Sequence, residues 1–344
     1  MTNPVLPDLP HRDVPTTLKL SVPGGLEVDV APFGATVVRL RAPDRCGVLG
    51  DVLLGFEHTE RYHAPHPYLG GTVGRYANRI GRGRLTLDGH GVQLSRNLAP
   101  HHLHGGRVGF DRVLWSVGEA QHAPHPGVSL HYVAADGEEG YPGRLEVQVH
   151  YALVDALTLE VAYVARTDRA TVVNMTNHAY FNLDDGGATS ALGHALELHA
   201  GHYTPVDAEG IPTGAIAPVV GTPLDFTRAR RLEQGLAQGL AGYDHNFVVD
   251  GWDGSLRSVA TLRAARSGRV LEVWTTQPGL QVYGGGGLDA TLRGHGGVAY
   301  GPGHGLCLET QHFPDSPNHA HFPSTVLRPG ETYVERTQWR LGVA

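Results

Sequence analysis

Residues 174–182 carry polar side chains at alternate positions, on what is otherwise a core-forming segment. If this segment is extended, a period of two places one row of groups on a single face: Asn174, Thr176, His178, Tyr180 and Asn182. Such a row predicts a polar cleft in which these side chains contact a ligand. A solvated strand face gives the same pattern, so the residues alone leave both interpretations open.

Glu309 lies within a second alternating segment. Leu306 and Leu308 share one predicted face, and Cys307, Glu309 and Gln311 share the other. Acidic residues are depleted in strands, so Glu309 is either a surface residue or a base held in a pocket. Burial raises the pKa of a carboxyl group toward neutrality and makes it a usable general base, for which a nearby histidine is the matching acid.

Two further clusters suggest ligands of other kinds. His101, His102 and His104 could bind a metal, but their spacing matches no helical metal-binding pair, which favours a loop histidine that donates a hydrogen bond. Residues 74–84 hold four arginines between glycines and lack the nucleotide P-loop pattern. A phosphate site and a solvated turn with one or two functional arginines both fit this second segment.

Two segments combine groups that suit a sugar. Residues 243–247 and 275–283 mix carboxylate or amide side chains with aromatic rings. The carboxylates and amides bind pairs of hydroxyls, and the aromatic faces cover C–H patches. Each segment is a weak signal when it is taken alone.

The composition indicates a folded protein with a sizeable core. Of the 344 residues, 41% are hydrophobic and 18% are charged, and the formal net charge is -7. An acidic balance argues against nucleic acid or an anionic membrane as the main partner. No apolar run approaches the roughly 20 residues that span a bilayer. Cys46 and Cys307 are expected to be reduced thiols in the cytoplasm, although one disulfide is possible.

The elements that hold these residues are predicted to be strands. Forty-seven glycines and 23 prolines are scattered along the chain, as expected for many short strands joined by turns. Alternation predicts a hairpin over residues 18–30 and paired strands over 145–151 and 157–163. The best helical segment is 228–240, with Thr227 as its cap. We expect an all-β protein, a large antiparallel sandwich with few short helices.

Several motifs in a fixed order resemble the aldose 1-epimerase (galactose mutarotase) family across roughly residues 15–342. They include GRYANRI at 74–80, HLHGG at 102–106, TNHAYFNL at 176–183, YDHNF at 243–247 and CLETQHFPDSPN at 307–318. The resemblance implies a galactose mutarotase-like supersandwich with the sugar on its open face. We expect a flexible N-terminal arm at residues 1–15 and a single domain over 16–344.

The same resemblance assigns roles to individual residues. Glu309 is expected to be the catalytic base, His178 the catalytic acid and His104 a second active-site histidine. The positions expected to bind the sugar are Asn78, Arg79, Asp244 and Gln281, and Tyr180, on the predicted polar face, is a further candidate. The family needs no metal or organic cofactor.

The expected reaction is interconversion of the α and β anomers of a free hexose such as galactose or glucose. Ionised Glu309 would take the C1 hydroxyl proton while protonated His178 donates to the ring oxygen. The partner would be a small aldose, and the chain a monomer or weak homodimer in the cytoplasm. The alternatives are a non-catalytic carbohydrate-binding protein, a metal-dependent β-sandwich enzyme and a mutarotase for phosphorylated hexoses.

The sequence departs from the family pattern at two places. Residues 284–287 are all glycine where the family usually has a threonine, a glycine and an asparagine. Ala179 follows His178 where serine is common. The glycine segment is expected to shape the rim near the sugar and so bears on substrate preference rather than on the chemistry.

Overall fold

The structure, a computed structural model, describes residues 17–121 and 125–344, with the side chain of residue 119 left aside. The predicted N-terminal arm at residues 1–15 lies outside these residues. The described residues form many antiparallel strands with one short α-helix, α1 (Leu232–Ala237), and seven 3-10 turns. The prediction of an all-β protein is therefore confirmed. That helix has six residues, and the described chain holds no helix long and apolar enough to cross a membrane.

The strands are numbered along the chain. They are β1 (Leu18–Ser21), β2 (Glu27–Ala31), β3 (Thr36–Pro43), β4 (Leu49–Asp51), β5 (Thr72–Val73), β6 (Arg79–Ile80), β7 (Arg84–Leu87), β8 (His90–Gln93), β9 (His102–Leu103), β10 (Ser116–Gln121), β11 (Gly127–Ala134), β12 (Leu145–Asp155), β13 (Thr158–Thr167), β14 (Thr171–Val172), β15 (Thr176–Asn177), β16 (Tyr180–Phe181), β17 (Ala195–Leu198), β18 (His202–Tyr203), β19 (Ala217–Pro218), β20 (Arg230–Arg231), β21 (Asp244–Val248), β22 (Arg257–Arg263), β23 (Arg269–Thr275), β24 (Gly279–Tyr283), β25 (Leu306–Gln311), β26 (Val326–Leu327) and β27 (Tyr333–Val343). The 3-10 turns are Thr59–His63, Gly81–Gly83, Phe110–Arg112, Glu138–Gly140, Ala191–Gly193, His295–Gly297 and Ser316–Asn318.

Three larger sheets enclose one apolar core. A nine-stranded sheet has the order β10-β11-β12-β13-β27-β23-β22-β17-β20, and a six-stranded sheet has the order β16-β25-β24-β21-β18-β19. A four-stranded sheet, β1-β2-β3-β4, contributes to the same core, and four two-stranded pairs complete the described sheets. The core thus lies between sheets, as in a sandwich.

Strand β25 contacts this core with one face only. Leu306 and Leu308 belong to the apolar core, and Thr310 lies 2.6 Å, hydroxyl to hydroxyl, from Thr337 on the nine-stranded sheet. Because successive side chains on a strand point to opposite sides, Cys307 and Glu309 lie on the other face. The predicted alternation along this strand is therefore confirmed.

The predicted hairpins are also confirmed. Strands β1 and β2 pair antiparallel, and β12 pairs with β13 along most of its length. The predicted inward face of β12 is buried at every position: Leu145, Val147, Val149 and Tyr151. Cys46 and Cys307 are both free thiols, the first exposed and the second buried.

The predicted helix over residues 228–240 is wrong at its beginning and its end. Helix α1 covers only Leu232–Ala237, because the preceding β20 (Arg230–Arg231) pairs with β17 in the nine-stranded sheet. Thr227 is not the cap, since its hydroxyl donates to Asp225. The backbone N–H of Arg231 instead donates to the side chain of Gln234 at the helix start.

The prediction of one extended strand over 174–182 is also wrong. Within this segment only β15 and β16 are strands, which pair with β5 and β25, and Asn174 forms an isolated parallel bridge with Tyr76. Each short pairing meets a different sheet, so the regular alternation of faces does not continue through the segment. The side chains of Asn174 and Asn182 therefore form hydrogen bonds to the backbone. Asn174 donates to the carbonyls of Ala77 and His312, and Asn182 donates to those of Thr189 and His304.

Candidate active site

Three adjacent strands of the six-stranded sheet bring distant residues onto one face. Gln281 on β24 is the register partner of Glu309 on β25, and Asp244 on β21 is the partner of Tyr283 on β24. Register partners in an antiparallel pair project their side chains to the same side. The face opposite the leucines of β25 therefore carries a carboxylate, an amide and a second carboxylate next to one another.

This face forms one wall of a cavity of about 180 Å³. Its lining includes seven of the eight residues expected to form the site, and the eighth, Gln281, donates a hydrogen bond to Asp244 in that lining. The lining residues are Pro67, Tyr68, Asn78, Arg79, Leu103, His104, His178, Tyr180, Asp244, Tyr283 and Glu309.

The two predicted catalytic side chains face each other in this cavity. His178 Nε2 lies 3.8 Å from Glu309 Oε1, and their side chains are only 5% and 2% exposed. The gap is longer than a normal hydrogen bond, so neither atom is committed to the other. Both remain in reach of a ligand that enters between them.

The ring of His178 is held by its neighbours. Tyr180 stacks on it with ring centroids 5.0 Å apart, and Tyr68 stacks on it at 5.5 Å. Its backbone N–H donates to Gly71, and its carbonyl accepts from Gly70. Aromatic packing and two backbone hydrogen bonds therefore fix the direction in which Nε2 points.

His104 is oriented by the backbone of Asn78. The Asn78 N–H donates to His104 Nδ1 at 3.1 Å, and the His104 N–H donates to the Asn78 carbonyl at the same distance. Because Nδ1 accepts, the neutral ring carries its proton on Nε2. Burial holds the pKa of His104 well below its ordinary value, with the nearby His178 as a smaller cause. His104 is therefore a neutral hydrogen-bond donor.

Arg79, Asp244 and Gln281 form a network at the cavity mouth. Arg79 Nη2 donates to Asp244 Oδ2 at 3.2 Å, and Gln281 Nε2 donates to Asp244 Oδ1 at 2.6 Å. Both oxygens of Asp244 are thereby oriented. Arg79 Nε, Gln281 Oε1 and Glu309 Oε2 are buried atoms without a hydrogen-bond partner among the described residues. Buried polar atoms are costly unless paired, so these three atoms favour a ligand that both donates and accepts.

Burial disfavours charge on both members of the facing pair. It raises the pKa of Glu309 well above its ordinary value, the negative charge of Asp244 raises it further, and Arg79 opposes the shift. Burial lowers the pKa of His178 to about 4, against a smaller opposing backbone hydrogen bond. Burial therefore favours a protonated Glu309 carboxyl beside a neutral His178 imidazole. The pair then holds one proton more than an ionised carboxylate beside a neutral imidazole.

The arginines of residues 74–84 do not converge. Arg75 is buried and donates to the carbonyls of Pro142 and Gly143. Arg82 lies 3.7 Å from Glu209, and the side chain of Arg84 donates to that of Gln93. Of the four, Arg79 alone lines the cavity, so the described residues do not form the four-arginine phosphate site that the sequence left open.

The histidines of residues 101–104 also separate. His101 Nδ1 accepts from the Arg82 N–H, and His102 contacts the Tyr141 hydroxyl at 2.6 Å. A different triad does converge: one ligand atom each of His104, His178 and Glu309 lies within 4.8 Å of the others. Two histidines and a glutamate are a donor set that zinc accepts, so the same atoms could serve a metal or a proton-transfer pair.

Four lining residues received no individual role from the sequence: Pro67, Tyr68, Leu103 and Tyr283, the last of which ends the segment 275–283 that was marked as suited to a sugar. Tyr68 adopts a left-handed backbone conformation, φ 57°, just before Gly70 and Gly71. The paired glycines predict a turn. The sequence around Tyr68 has no alternation of polar and apolar residues that would predict a tyrosine facing a ligand. Tyr283 accepts from the Gly287 N–H at 2.7 Å, so the glycine segment 284–287 holds a residue of the cavity wall.

Comparisons with known proteins agree with this architecture. The family profile described as aldose 1-epimerase matches residues 16–340. The galactose mutarotase of Bos taurus is 45% identical over 320 residues, which cover 93% of this chain and 92% of that protein. The aldose 1-epimerase of Escherichia coli is 37% identical over 323 residues, 92% of each chain. An aldose epimerase homologue from C. elegans superposes with a TM-score of 0.88 and 32% identity, covering 95% of this chain and 99% of the other.

These matches define a β-sandwich isomerase with the galactose mutarotase-like fold that the resemblance implied. The chain belongs to the aldose 1-epimerase family. It is accordingly an enzyme of the mutarotase type.

Proposed function

We propose that this site interconverts the α and β anomers of a free hexose, with Glu309 as base and His178 as acid. The observation that carries the proposal is the facing pair of buried side chains, His178 Nε2 and Glu309 Oε1, 3.8 Å apart in the cavity. The C1 hydroxyl oxygen and the ring oxygen are bonded to the same carbon. A base on one and an acid on the other must therefore lie close together, as these two groups do.

The proposed reaction moves two protons and breaks one bond. Ionised Glu309 takes the proton of the C1 hydroxyl, protonated His178 donates a proton to the ring oxygen, and the bond between C1 and that oxygen breaks. The open aldehyde then rotates about the C1–C2 bond. Glu309 returns its proton to the carbonyl oxygen as the C5 hydroxyl attacks C1 and gives its proton back to His178.

The direction of the pKa shifts fits this cycle. Ring opening converts an ionised carboxylate and a protonated imidazole into a neutral carboxyl and a neutral imidazole. Burial favours this uncharged form, since it raises the pKa of Glu309 and lowers that of His178. The charged form and the uncharged form of the pair hold the same number of protons. Sugar binding therefore needs only to move one proton from Glu309 to His178 for the reaction to begin.

The surrounding residues are proposed to hold the sugar. Asp244, fixed by Arg79 and Gln281, accepts from hydroxyls at the cavity mouth, and the unpartnered Arg79 Nε and Gln281 Oε1 donate to and accept from others. His104 donates through Nε2 to an oxygen near C1, and Asn78 orients His104. The faces of lining tyrosines, Tyr180 among them, cover C–H patches of the ring.

A mutarotase for phosphorylated hexoses is the less favoured alternative. Arg75 is committed to backbone carbonyls, and Arg82 and Arg84 contact other side chains. Of these four arginines, only Arg79 could contact a phosphate at C6, and Arg79 already contacts Asp244. We therefore expect faster turnover of free galactose or glucose than of their 6-phosphates.

The deciding experiment is polarimetry on freshly dissolved α-galactose and α-glucose. The wild type is expected to speed the decay of optical rotation, and Glu309→Gln, which keeps the shape but removes the base, is expected to lower turnover by about 10²–10⁴-fold. Sugar binding, measured by calorimetry, should change little. Glu335→Gln is the matched control, because Glu335 also has a pKa raised by burial, to about 7, and does not line the cavity.

Two results would reject the proposal. Near-wild-type turnover in Glu309→Gln would show that Glu309 is not the base. A wild type that binds aldoses without accelerating their mutarotation would indicate the non-catalytic carbohydrate-binding protein instead.

A further inference from the structure

A fully buried amide lies beside the proposed base on β25. Gln311 follows Glu309 by two residues, so the two side chains project from the same face of the strand. Thr310, which lies between them, points to the other face and contacts the hydroxyl of Thr337. Gln311 is 0% exposed, and neither its Nε2 nor its Oε1 has a hydrogen-bond partner among the described residues.

Two unpartnered acceptors lie on the same face of the sheet. They are Glu309 Oε2 and the Oδ1 of Asn246 on β21, both buried. Asn246 extends over β24 toward β25 because the register partner of Gln311 on β24 is Gly279, which has no side chain. A Cβ at residue 279 would lie 2.7 Å from Asn246 Oδ1 and 2.9 Å from the ring of Phe313. These groups therefore border one buried space beside Gln311.

We propose that Gln311 is a positioning residue that holds a buried water molecule on Glu309 Oε2, with Asn246 as the second support of that water. This inference rests on the proposed function, in which Glu309 is the base. The water lies behind the sugar cavity, since neither Gln311 nor Asn246 is among the residues that line the cavity.

The balance of donors and acceptors favours water as the occupant. Three acceptors, Glu309 Oε2, Asn246 Oδ1 and Gln311 Oε1, share the space with a single donor group, Gln311 Nε2. The amide nitrogen of Gln281, on the strand between, donates to Asp244 instead. A water molecule donates two protons and accepts from the amide, and buried waters typically make about three hydrogen bonds. Either orientation of the Gln311 amide gives the same count.

A monovalent cation would also meet oxygen ligands here, but the charges disfavour it. Arg79 already pairs with Asp244, and burial favours the uncharged form of Glu309 by raising its pKa. The space therefore offers no free negative charge to a cation. Moving an ion out of water into such a site is costly, whereas a neutral water molecule needs only its hydrogen bonds.

The bound water assists the ionisation that the proposed reaction requires. A proton donor on Oε2 stabilises the carboxylate form of Glu309, which burial disfavours. It also leaves Oε1, the oxygen that faces His178, available to the C1 hydroxyl. Gln311 therefore acts on the reaction without touching the sugar, so its loss should change kcat and leave KM nearly unchanged.

The first test is a crystal structure of the whole enzyme without sugar, at a resolution that shows ordered water. We expect a water molecule within hydrogen-bond distance of both Glu309 Oε2 and the Gln311 amide. A dry space, or a direct hydrogen bond between Gln311 and Oε2, would overturn the inference. Turnover should be equal in sodium, in potassium and in a buffer with neither ion, and a requirement for either ion would also overturn it.

Two substitutions at Gln311 separate a positioning role from a structural one. Gln311→Met keeps the length of the side chain and removes both polar atoms. It should lower kcat for galactose roughly 10-fold, the effect of one lost hydrogen bond to a charged group, while the melting temperature stays the same or rises. Gln311→Asn keeps an amide for the water and should retain most of kcat, although the shorter side chain lowers the melting temperature.

Gln338→Met is the matched control, because Gln338 is also a buried glutamine but lies on β27 of the nine-stranded sheet. Its amide donates to Glu160 and accepts from Arg340, so this variant should lose stability and keep the wild-type kcat. A wild-type kcat in Gln311→Met, or a kcat that follows the melting temperature across the three variants, would overturn the inference.

The crystal structure and Gln311→Asn still test the inference if Gln311→Met does not fold. Failure of the proposed function is distinguishable, since it appears as a wild type without mutarotase activity. The ordered water is observed in the crystal whether or not the sugar turns over.

Discussion

Gln281 donates a 2.6 Å hydrogen bond to Asp244, which joins the middle strand of the site to the carboxylate at the cavity mouth. Arg79 contacts the other oxygen of the same carboxylate. Asp244 is therefore oriented before any ligand arrives, and its negative charge also acts on Glu309 within the same cavity. One side chain thus links the proposed sugar contacts to the ionisation of the proposed base.

Asp244→Asn is expected to raise KM for galactose roughly 10-fold, since a charge-assisted hydrogen bond to the sugar is lost. It should also lower the pKa of Glu309, because the Asp244 charge is one of the causes that raise it. The alkaline limb of kcat/KM would then move to lower pH. Polarimetric assays over a pH series measure both effects, and an unchanged limb together with an unchanged KM would contradict this role.

The pH dependence of kcat/KM is expected to be bell-shaped, with one proton in the pair at the maximum. The acid limb should lie near pH 4, where a second proton binds to His178, whose pKa burial lowers to about 4. The alkaline limb, where the pair loses its only proton, should lie well above the ordinary carboxyl range because the pKa of Glu309 is raised. An acid limb near 6.5 would show that His178 is not desolvated in the enzyme.

His104→Asn tests the donor role of the second histidine. The Asn oxygen can replace Nδ1 as acceptor of the Asn78 N–H while the Nε2 donor is lost. We expect kcat to fall roughly 10- to 100-fold, as for other lost donors near a reacting oxygen, while the melting temperature stays close to wild type.

His104→Gln is the complementary variant. Its amide nitrogen can occupy the Nε2 position, but the acceptor for Asn78 is lost. We expect it to retain more activity and less stability than His104→Asn. The reverse order would assign His104 a purely structural function.

Added zinc is expected to inhibit the enzyme. His104, His178 and Glu309 offer a converging donor set, and a metal bound there would occupy the acid and the base together. Inhibition should be competitive with the sugar and reversed by EDTA, whereas EDTA alone should leave turnover unchanged. Loss of activity in EDTA with recovery on adding zinc would instead indicate a metal-dependent enzyme.

Arg75→Met is expected to destabilise the fold without changing substrate preference. The guanidinium donates to the carbonyls of Pro142 and Gly143 and to the Thr171 hydroxyl, all in or near the core. Removing these hydrogen bonds should lower the free energy of unfolding by about 2–4 kcal/mol. Urea denaturation measures the loss, and the ratio of activities on hexose and hexose 6-phosphate should stay the same.

Local alternation in the sequence was sufficient to predict the two faces of β25. Leu306 and Leu308 repeat at a period of two and enter the core, so Glu309 is directed to the other side. The same reasoning could not bring Asp244 to Glu309, because that proximity depends on β24 pairing with both β21 and β25. The family motifs supplied the grouping that periodicity lacked.

The two incorrect predictions share a physical cause, which is pairing with distant strands. Residues 228–231 have helical spacing of leucines after them, but Arg230 and Arg231 complete a sheet edge beside β17. Residues 174–182 meet Tyr76, β5 and β25 in succession, so an even alternation of faces is lost. In both segments tertiary contacts outweigh local preference.

Because Leu308 and Thr310 flank Glu309 and anchor β25 in the core and against the nine-stranded sheet, the proposed base is held by a firmly packed strand. Local unfolding occurs in segments with few buried contacts, and β25 is not such a segment. Heating should therefore leave specific activity intact up to the cooperative transition, and inactivation and melting should follow a single curve.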